Sequence, residues 1–322
     1  MKALSVFSGG LDSMLASELI RALGIEVQGL FFETPFFSAE KARESAESIS
    51  LPIKVINITE RHLYVVKKPK YGYGKNMNPC IDCHALMLRI AGEMMPDEGA
   101  DFIVTGDVLG QRPMSQNRKA LSIIDSESGL EGFILRPLSA KRLPPTMPEI
   151  IGWINRGKML DYSGRGRKQQ IALAKKLNIA KYPSSAGGCL LTDNTFSKRL
   201  ADLFSSDNLI ALSEIELLKY GRHFRIGPKT KIIVGRNKTE NNYISLLAKD
   251  DDLLIYTVSI PGPTVLVIGE KTPFSVETAA DMTASYSDAN DGEAEICLSE
   301  KGQYKKLTVK IRDKKEFREY ML

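Results

Sequence analysis

Two glycines, two serines and an aspartate stand together near the start of the chain, in the run Ser8-Gly9-Gly10-Leu11-Asp12-Ser13. Glycines let backbone N–H groups converge on an anion, and serine hydroxyls add further donors. An apolar run at 3–7 precedes the loop and a helical pattern at 14–20 follows it, so the loop opens a helix whose N-terminus is partly positive. These features predict a phosphate-binding loop, although it lacks the Gly-Lys-Ser/Thr of a Walker A motif.

Three cysteines form a second set of reactive residues. Cys80 and Cys83 are three positions apart, and Cys189 follows two glycines. Asn78 as a helix cap and Pro79 in the first helical position predict that the Cys80–Cys83 pair begins a helix. The helix N-terminus is expected to lower the pKa of both thiols and to favour the thiolate, which is the form that binds metals and carries out sulfur chemistry.

Several chemistries fit these three thiols. Three soft ligands with one position left open suit a four-iron cluster that binds an outside ligand at its fourth iron. The Cys-x-x-Cys pair also suits persulfide chemistry or thiol exchange. Zinc needs a fourth ligand, which His84 could supply. The fourth cysteine, Cys297, lies in a strand pattern and is predicted to be a buried free thiol.

Strands alternate with helices through the first half of the chain, with further strands predicted at 25–32, 53–58, 101–105 and 134–138. This order predicts an α/β fold, a Rossmann-like parallel sheet with helices on both faces. Ligands of such sheets bind at the carboxyl ends of the strands. We therefore expect adenosine near Phe32, and Gly106, Asp107 and Gln111 to complete the nucleotide pocket.

The composition changes after about residue 195, which predicts two domains, 1–193 and 194–322. The second is expected to be a smaller α+β domain with a helix over 196–220, a polar turn over 235–242 and five strands. These strands are predicted at 231–234, 253–258, 264–268, 295–298 and 307–311.

Basic residues are concentrated in two parts of a chain whose net charge is only +5. Residues 61–75 are predicted to form a loop in which lysines alternate with tyrosines, and residues 140–185 a basic helical segment. Both suit contact with RNA, although solvated faces would have the same composition. No apolar run is long enough to span a membrane, and the start of the chain leads directly into the phosphate loop, so we expect a cytoplasmic protein without a signal peptide.

The motifs resemble those of a known family. Residues 8–13 match the pyrophosphate loop of ATP-pyrophosphatases. Together with 80–91 and Thr-Gly-Asp-x-Leu-Gly-Gln at 105–111, they resemble the 4-thiouridine synthetase branch of the tRNA sulfurtransferases, and 78–83 is similar to the motif of tRNA 2-thiouridylases. The resemblance covers about 1–193 and implies a fold of the HUP type. Residues 225–270 resemble, more weakly, the RNA-binding domain 2 of ribosome quality-control (NFACT) proteins.

This resemblance implies ATP-dependent thiolation of tRNA. ATP would bind at 8–13 with Mg²⁺ held by Asp12, and a uridine oxygen, O2 or O4, would be adenylated with release of pyrophosphate. Sulfur would then come from an iron–sulfur cluster (4Fe-4S) held by Cys80, Cys83 and Cys189, or from a cysteine persulfide, with sulfide or a cysteine desulfurase as the donor. No rhodanese-like sulfur carrier is found in the chain, which favours the cluster.

Two other functions fit the same residues. One is an ATP-pyrophosphatase that adenylates a small molecule. The other is an RNA- or ribosome-binding protein whose nucleotide site has lost catalysis. The intact Asp12 and the three thiols argue against the second alternative.

Overall fold

The computed structural model describes residues 1–184, 188–205, 210–290 and 292–322. The chain divides into two compact units, Met1–Thr192 and Asp193–Leu322. The boundary expected after residue 193 lies one residue from this division.

The first unit is built on a five-stranded sheet in the order β3-β2-β1-β4-β5, with every neighbouring pair parallel. The predicted Rossmann-like sheet is therefore confirmed. The strands β1 to β3 extend the sheet to one side, and β4 and β5 extend it to the other. The switch point of this strand order lies between β1 and β4, which is where open parallel sheets bind ligands. The strands are β1 Lys2–Val6, β2 Glu26–Glu33, β3 Ile53–Asn57, β4 Phe102–Thr105 and β5 Ile134–Leu135.

Both faces of this sheet are covered, because successive residues of its central strands point to opposite sides. Ala3 packs in one apolar cluster and Leu4 in another, and both side chains are fully buried. The helices of the unit are α1 Leu11–Arg21, α2 Glu40–Ser48, α3 Thr59–Lys67, α4 Cys80–Glu98, α5 Arg118–Ser128, α6 Met147–Ile150 and α7 Lys168–Lys176.

Two predictions for the first unit are wrong in part. The loop predicted at 61–75 is helical up to Lys67, because His62 and Val66, four residues apart, form the buried face of α3. The helical segment predicted at 140–185 contains only α6, α7 and short 3₁₀ turns. Prolines at 144, 145 and 148 and glycines at 152, 157, 164 and 166 interrupt any longer helix.

The second unit contains a six-stranded antiparallel sheet in the order β11-β10-β8-β9-β7-β6. One helix, α11, packs on one face with Phe317, and α9 and α10 cover the other. The elements are α8 Asn194–Phe204, α9 Leu212–Leu217, β6 Arg222–Gly227, β7 Thr230–Val234, α10 Lys238–Leu247, β8 Leu253–Thr257, β9 Thr264–Gly269, α11 Pro273–Ser285, β10 Glu293–Glu300 and β11 Gln303–Lys310.

The α+β class of this unit is confirmed, but some of its elements differ from the prediction. The helix predicted at 196–220 is two helices, α8 and α9, and residues 206–209 between them lie outside the described part of the chain. The polar turn predicted at 235–242 is the start of α10, where the side chain of Asn237 accepts a hydrogen bond from the backbone of Glu240. The strand β6 and the helix α11 were not predicted.

Candidate active site

The loop after β1 requires glycine at Gly9. Its φ is +75°, and a Cβ there would lie 2.7 Å from the Cα of Ala42. Gly10 caps α1 without a side chain, and the Ser13 hydroxyl donates to the Gly10 carbonyl at 2.8 Å. The N–H groups of the first helical turn have no partner within the helix, so they are available to an anion.

The loop after β4 packs closely against this helix start. A Cβ on Gly106 would lie 2.5 Å from the backbone nitrogen of Ser13, so only glycine fits. The side-chain amide of Gln111 donates to Asp12 Oδ2 at 2.8 Å. Two of the predicted pocket residues, Gly106 and Gln111, therefore lie directly against the phosphate loop.

Asp12 is held in place but not fully satisfied. Among the described residues, its Oδ1 is buried and has no hydrogen-bond partner, and the same is true of Gln111 Oε1. Burial raises the pKa of Asp12, while the Gln111 hydrogen bond and the guanidinium groups of Arg167 and Arg112 act in the opposite direction. A carboxylate with one free, buried oxygen is suited to hold Mg²⁺ beside bound phosphates.

Asp107 faces protein partners. Its carboxylate accepts hydrogen bonds from Thr105 and Gln116, both at 2.8 Å, and lies 3.5 Å from Nε of Arg136. Burial acts to raise the pKa of Asp107, but Arg136 and the hydrogen bonds outweigh it and the pKa is lowered. Asp107 thus fixes the loop that carries Gln111.

Leu11 and Phe32 bring their backbones, rather than their side chains, to the site. The side chain of Leu11 is 1% exposed, and that of Phe32 is 3% exposed. The Phe32 ring packs in the apolar cluster around Leu4 and Leu30. A nucleotide at the end of β2 would meet the main chain there, which leaves the predicted contact with Phe32 to its peptide groups.

The first two cysteines open helix α4, as predicted, although the capping residue is Pro79 rather than Asn78. The Asn78 side-chain amide donates to Cys80 Sγ at 3.1 Å. Cys83 Sγ lies 3.2 Å from Nε2 of His62.

Cys189 is held by hydrogen bonds on either side of it. The backbone nitrogen of Leu190 donates to the Phe36 carbonyl at 3.1 Å, and the side chain of Asn76 donates to the Thr192 carbonyl at 2.6 Å. Of the two glycines before Cys189, Gly187 lies outside the described residues and Gly188 is within them. Phe36 links this segment to Cys83, because its ring lies 5.6 Å from the ring of His62, which contacts Cys83.

The expectation of a lowered thiol pKa is wrong for Cys83. Burial raises the pKa of Cys83 well above its usual value, and the neighbouring thiols add to the effect. Burial likewise raises the pKa of Cys189 to about 11. Desolvation of a thiolate here outweighs the field of the helix N-terminus. A bound metal would reverse this, because coordination deprotonates a thiol.

No set of three or more histidine, cysteine or acidic side chains in the described ranges is arranged to hold a metal ion. The three thiols have the soft donor chemistry that an iron–sulfur cluster requires, and they affect one another's ionisation. The donor set therefore fits the group, but the side chains are not preassembled around it.

His62 is the imidazole that contacts Cys83, and it belongs to the segment 61–75 that was predicted to be a basic loop. It is fully buried between Phe36 and Phe37, and burial lowers its pKa to about 4. His84 is the residue considered as a zinc ligand. Burial lowers its pKa, and the charges that also affect this pKa are those of Asp107, Arg112 and Arg136. The signal for His62 was its spacing from Val66 on one helical face.

Arg112 and Arg167 were also missed as site residues. The charge of Arg112 acts to lower the pKa values of Asp12, His84 and Cys189. The charge of Arg167 likewise acts to lower the pKa of Asp12. The Nε atom of Arg167 is buried and has no hydrogen-bond partner in the described part of the chain.

Some basic residues predicted to contact RNA are already paired. Arg61 makes two hydrogen bonds to Glu93, and Lys70 is 2.6 Å from Glu127. Cys297 is 4% exposed in β10, so the prediction of a buried free thiol is confirmed. Within the described ranges, every helix is too short or too polar to cross a membrane.

Two family models match the chain. Residues 1–142 match the thiamine biosynthesis protein (ThiI) family, and residues 221–321 match the NFACT protein RNA binding domain. A probable tRNA sulfurtransferase from Finegoldia magna is 34% identical over 143 residues, which are 43% of this chain and 36% of the relative. The matched part of the first unit is thus similar in sequence to a protein named as a probable tRNA sulfurtransferase.

A second relative extends the similarity along the chain. The tRNA-specific 2-thiouridylase MnmA of Karelsulcia muelleri is 26% identical over 217 residues, which are 61% of this chain and 53% of the relative. The chain thus spans about a third to a half of the length of these curated relatives. A solved structure of a 4-thiouridine synthetase with RNA and bound ATP is 21% identical to this chain. The match spans 55% of this chain and 51% of the synthetase, and its TM-score of 0.36 is too low for a conclusion.

Proposed function

We propose that this protein is an ATP-dependent tRNA thiolase. The observation that carries the proposal is the position of the cysteines near the carboxyl ends of β2 and β3, at the edge of the sheet where the phosphate loop lies. His62, which follows β3, is 3.2 Å from Cys83, and the backbone of Leu190, next to Cys189, donates to the carbonyl of Phe36, which follows β2. The similarity of the first unit to tRNA sulfurtransferases supports this activity. The match of residues 221–321 to an RNA-binding domain supports tRNA as the partner.

In the first step a uridine carbonyl oxygen forms a bond to the α-phosphorus of ATP. The bond from that phosphorus to the bridging oxygen breaks, and the electron pair leaves with pyrophosphate. Backbone N–H groups at the start of α1 bind the phosphates, and Asp12, positioned by Gln111, would hold Mg²⁺ through its free oxygen. The uridine must leave its base stack to reach the site.

In the second step sulfide sulfur bonds to the activated carbon, and AMP leaves with the electron pair of the carbon–oxygen bond. The base loses its N3 proton to solvent on adenylation and regains one as the proton of hydrosulfide moves to N3. Because sulfide replaces oxygen at the same oxidation level, the exchange needs neither an oxidant nor a reductant. Cys80, Cys83 and Cys189 would hold a four-iron cluster, which supplies an open iron for sulfide when bound. His62 would lie beside the cluster ligand Cys83 and limit access of water.

The protein purified without oxygen tests the cluster. We expect a brown protein with about four irons per chain and an absorbance band that disappears in the Cys83→Ala variant. The Cys297→Ala variant is the matched control, because Cys297 is buried in the other unit and should leave the iron content unchanged. A colourless, iron-free wild type would contradict the cluster and favour persulfide chemistry.

Thionucleosides of bulk tRNA test the reaction. Deletion of the gene is expected to remove one thionucleoside, and the wild-type gene to restore it. An unchanged set of thionucleosides, together with release of pyrophosphate on addition of a small-molecule substrate, would instead assign the site to small-molecule adenylation.

A further inference from the structure

One half-buried arginine of the first unit has a buried nitrogen with no hydrogen-bond acceptor among the described residues. Arg167 Nε is buried without a hydrogen-bond partner among the described residues, and so are Asp12 Oδ1 and Gln111 Oε1. The charge of the Arg167 guanidinium acts to lower the pKa of Asp12, although no ion pair joins the two side chains in the described part of the chain. Buried polar atoms without a partner are costly, so a ligand that pairs with them gains in binding free energy.

The main chain fixes the position of Arg167. Residues 162–164 run beside the loop that follows β4: Ser163 forms a parallel bridge with Leu109, and Gly164 N donates to the Leu109 carbonyl at 2.7 Å. The same loop carries Gln111, which is bonded to Asp12. Arg167 is thus joined through this loop to the phosphate loop.

Arg167 also stands at the start of a helix packed against α1. It is the capping residue of α7, and Ala174 of that helix shares an apolar cluster with Met14 and Leu15 of α1. Its side chain makes no capping hydrogen bond. A guanidinium has only donor groups and cannot cap a helix N-terminus, so the unpartnered Nε of Arg167 is available to an anionic ligand.

We propose that Arg167 is a catalytic residue that contacts the β- and γ-phosphates of ATP. This inference rests on the proposed function of the site. A phosphate placed between Arg167 and a magnesium ion on Asp12 would satisfy both buried groups, and arginine binds phosphate oxygens in a bidentate manner. The guanidinium would stabilise the charge that develops on pyrophosphate as it leaves.

Arg165 offers a matched control. It lies two residues away on the same basic turn, carries the same charge and is exposed. Replacement of either arginine by alanine changes the net charge of the chain equally. A difference between the two variants therefore reports on position rather than on charge.

The test uses the full chain with Mg²⁺ and compares the binding of ATP with that of AMP, which lacks the β- and γ-phosphates. For Arg167→Ala we expect ATP binding to weaken about tenfold or more, and pyrophosphate release at saturating ATP and tRNA to fall about 100-fold. Binding of AMP should stay within about twofold, and Arg167→Lys should retain part of the rate. Arg165→Ala should match the wild type in ATP binding measured without tRNA.

Two results would overturn the assignment of Arg167 alone. One is ATP binding and pyrophosphate release by Arg167→Ala at wild-type levels. The other is an equal loss of ATP and AMP binding with a lower melting temperature, which would make Arg167 a structural residue. A wild type that binds neither nucleotide would instead contradict the nucleotide site itself, and with it the proposed function.

Discussion

At the scale of single residues, the site keeps polar atoms unpaired where a ligand would bind. Asp12, Gln111 and Arg167 each bury an atom that finds no partner among the described residues. Asp12 and Gln111 could be chosen from sequence, because each belongs to a short local motif. Arg167 and His62 could not, because their roles depend on contacts between segments far apart in the chain.

The charge of Asp12 is predicted to be essential for ATP cleavage and dispensable for folding. Asparagine in the Asp12→Asn variant keeps an acceptor for Gln111 but loses the charge that would hold Mg²⁺. We expect pyrophosphate release to fall about 100-fold or more. The melting temperature should not fall, because burial already disfavours the ionised carboxylate, as its raised pKa indicates. Undiminished pyrophosphate release in this variant would contradict a role for Asp12 in holding Mg²⁺.

At the scale of elements, a buried ion network holds the end of β4. Arg136, 4% exposed, makes two hydrogen bonds to Asp125 of α5, at 3.0 and 2.6 Å, and lies beside Asp107. It therefore joins β5, α5 and the loop that positions Gln111. The loop geometry of the site depends on this network.

Removal of this arginine is predicted to destabilise the first unit. Arg136→Met leaves two carboxylates without their cation, one of them buried, which costs about 3–5 kcal/mol. The single tryptophan, Trp153, lies in this unit, so its fluorescence during urea unfolding reports the change. Arg61→Met removes the more exposed pair with Glu93 and should cost less than about 1 kcal/mol. Equal effects of the two variants would contradict a structural role for the network.

The stability of the second unit is predicted to fall in mild acid because of His223. Burial holds its pKa well below 6.5, and Lys231 and Arg199 act in the same direction. Below about pH 6.5 the unfolded chain takes up a proton that folded His223 does not, so this contribution is complete above that pH and is lost as the pH falls. Its Nε2 donates to the Tyr220 carbonyl at 2.8 Å, a bond that a glutamine amide can replace.

The His223→Gln variant isolates this effect. The free energy of unfolding, followed by circular dichroism, should decrease less between pH 7 and pH 5 in the variant than in the wild type. The other two histidines are present in both proteins, so their contributions cancel in the comparison. Identical pH profiles would show that His223 does not contribute.

Elements were predicted well where a local pattern decided them. The strands of the first sheet alternate with helices and have short apolar runs, and β1 to β4 were placed within one or two residues. Helix α10 was mistaken for a turn because its polar first turn resembles a loop, whereas its stability comes from Ile244, which is buried against the sheet. The order of the strands is set by packing of the whole unit, which a local pattern does not contain.

At the scale of the whole molecule, the two units match different families. Residues 1–142 match the thiamine biosynthesis protein (ThiI) model, and residues 221–321 match the NFACT protein RNA binding domain. We infer that the first unit carries the chemistry and the second contributes to binding of tRNA. The two-domain organisation was predictable from the change in composition, but the six-stranded antiparallel sheet of the second unit was not.

Thiolation of tRNA by the purified chain tests this account most directly. Anaerobic protein would be incubated with ATP, Mg²⁺, sulfide and tRNA that lacks thionucleosides, and the tRNA would be digested and analysed by mass spectrometry. We predict a thionucleoside, with AMP and pyrophosphate formed in equal amounts to it, and neither product without tRNA. AMP and pyrophosphate released without tRNA, or tRNA left free of sulfur by an iron-loaded and ATP-binding protein, would contradict it.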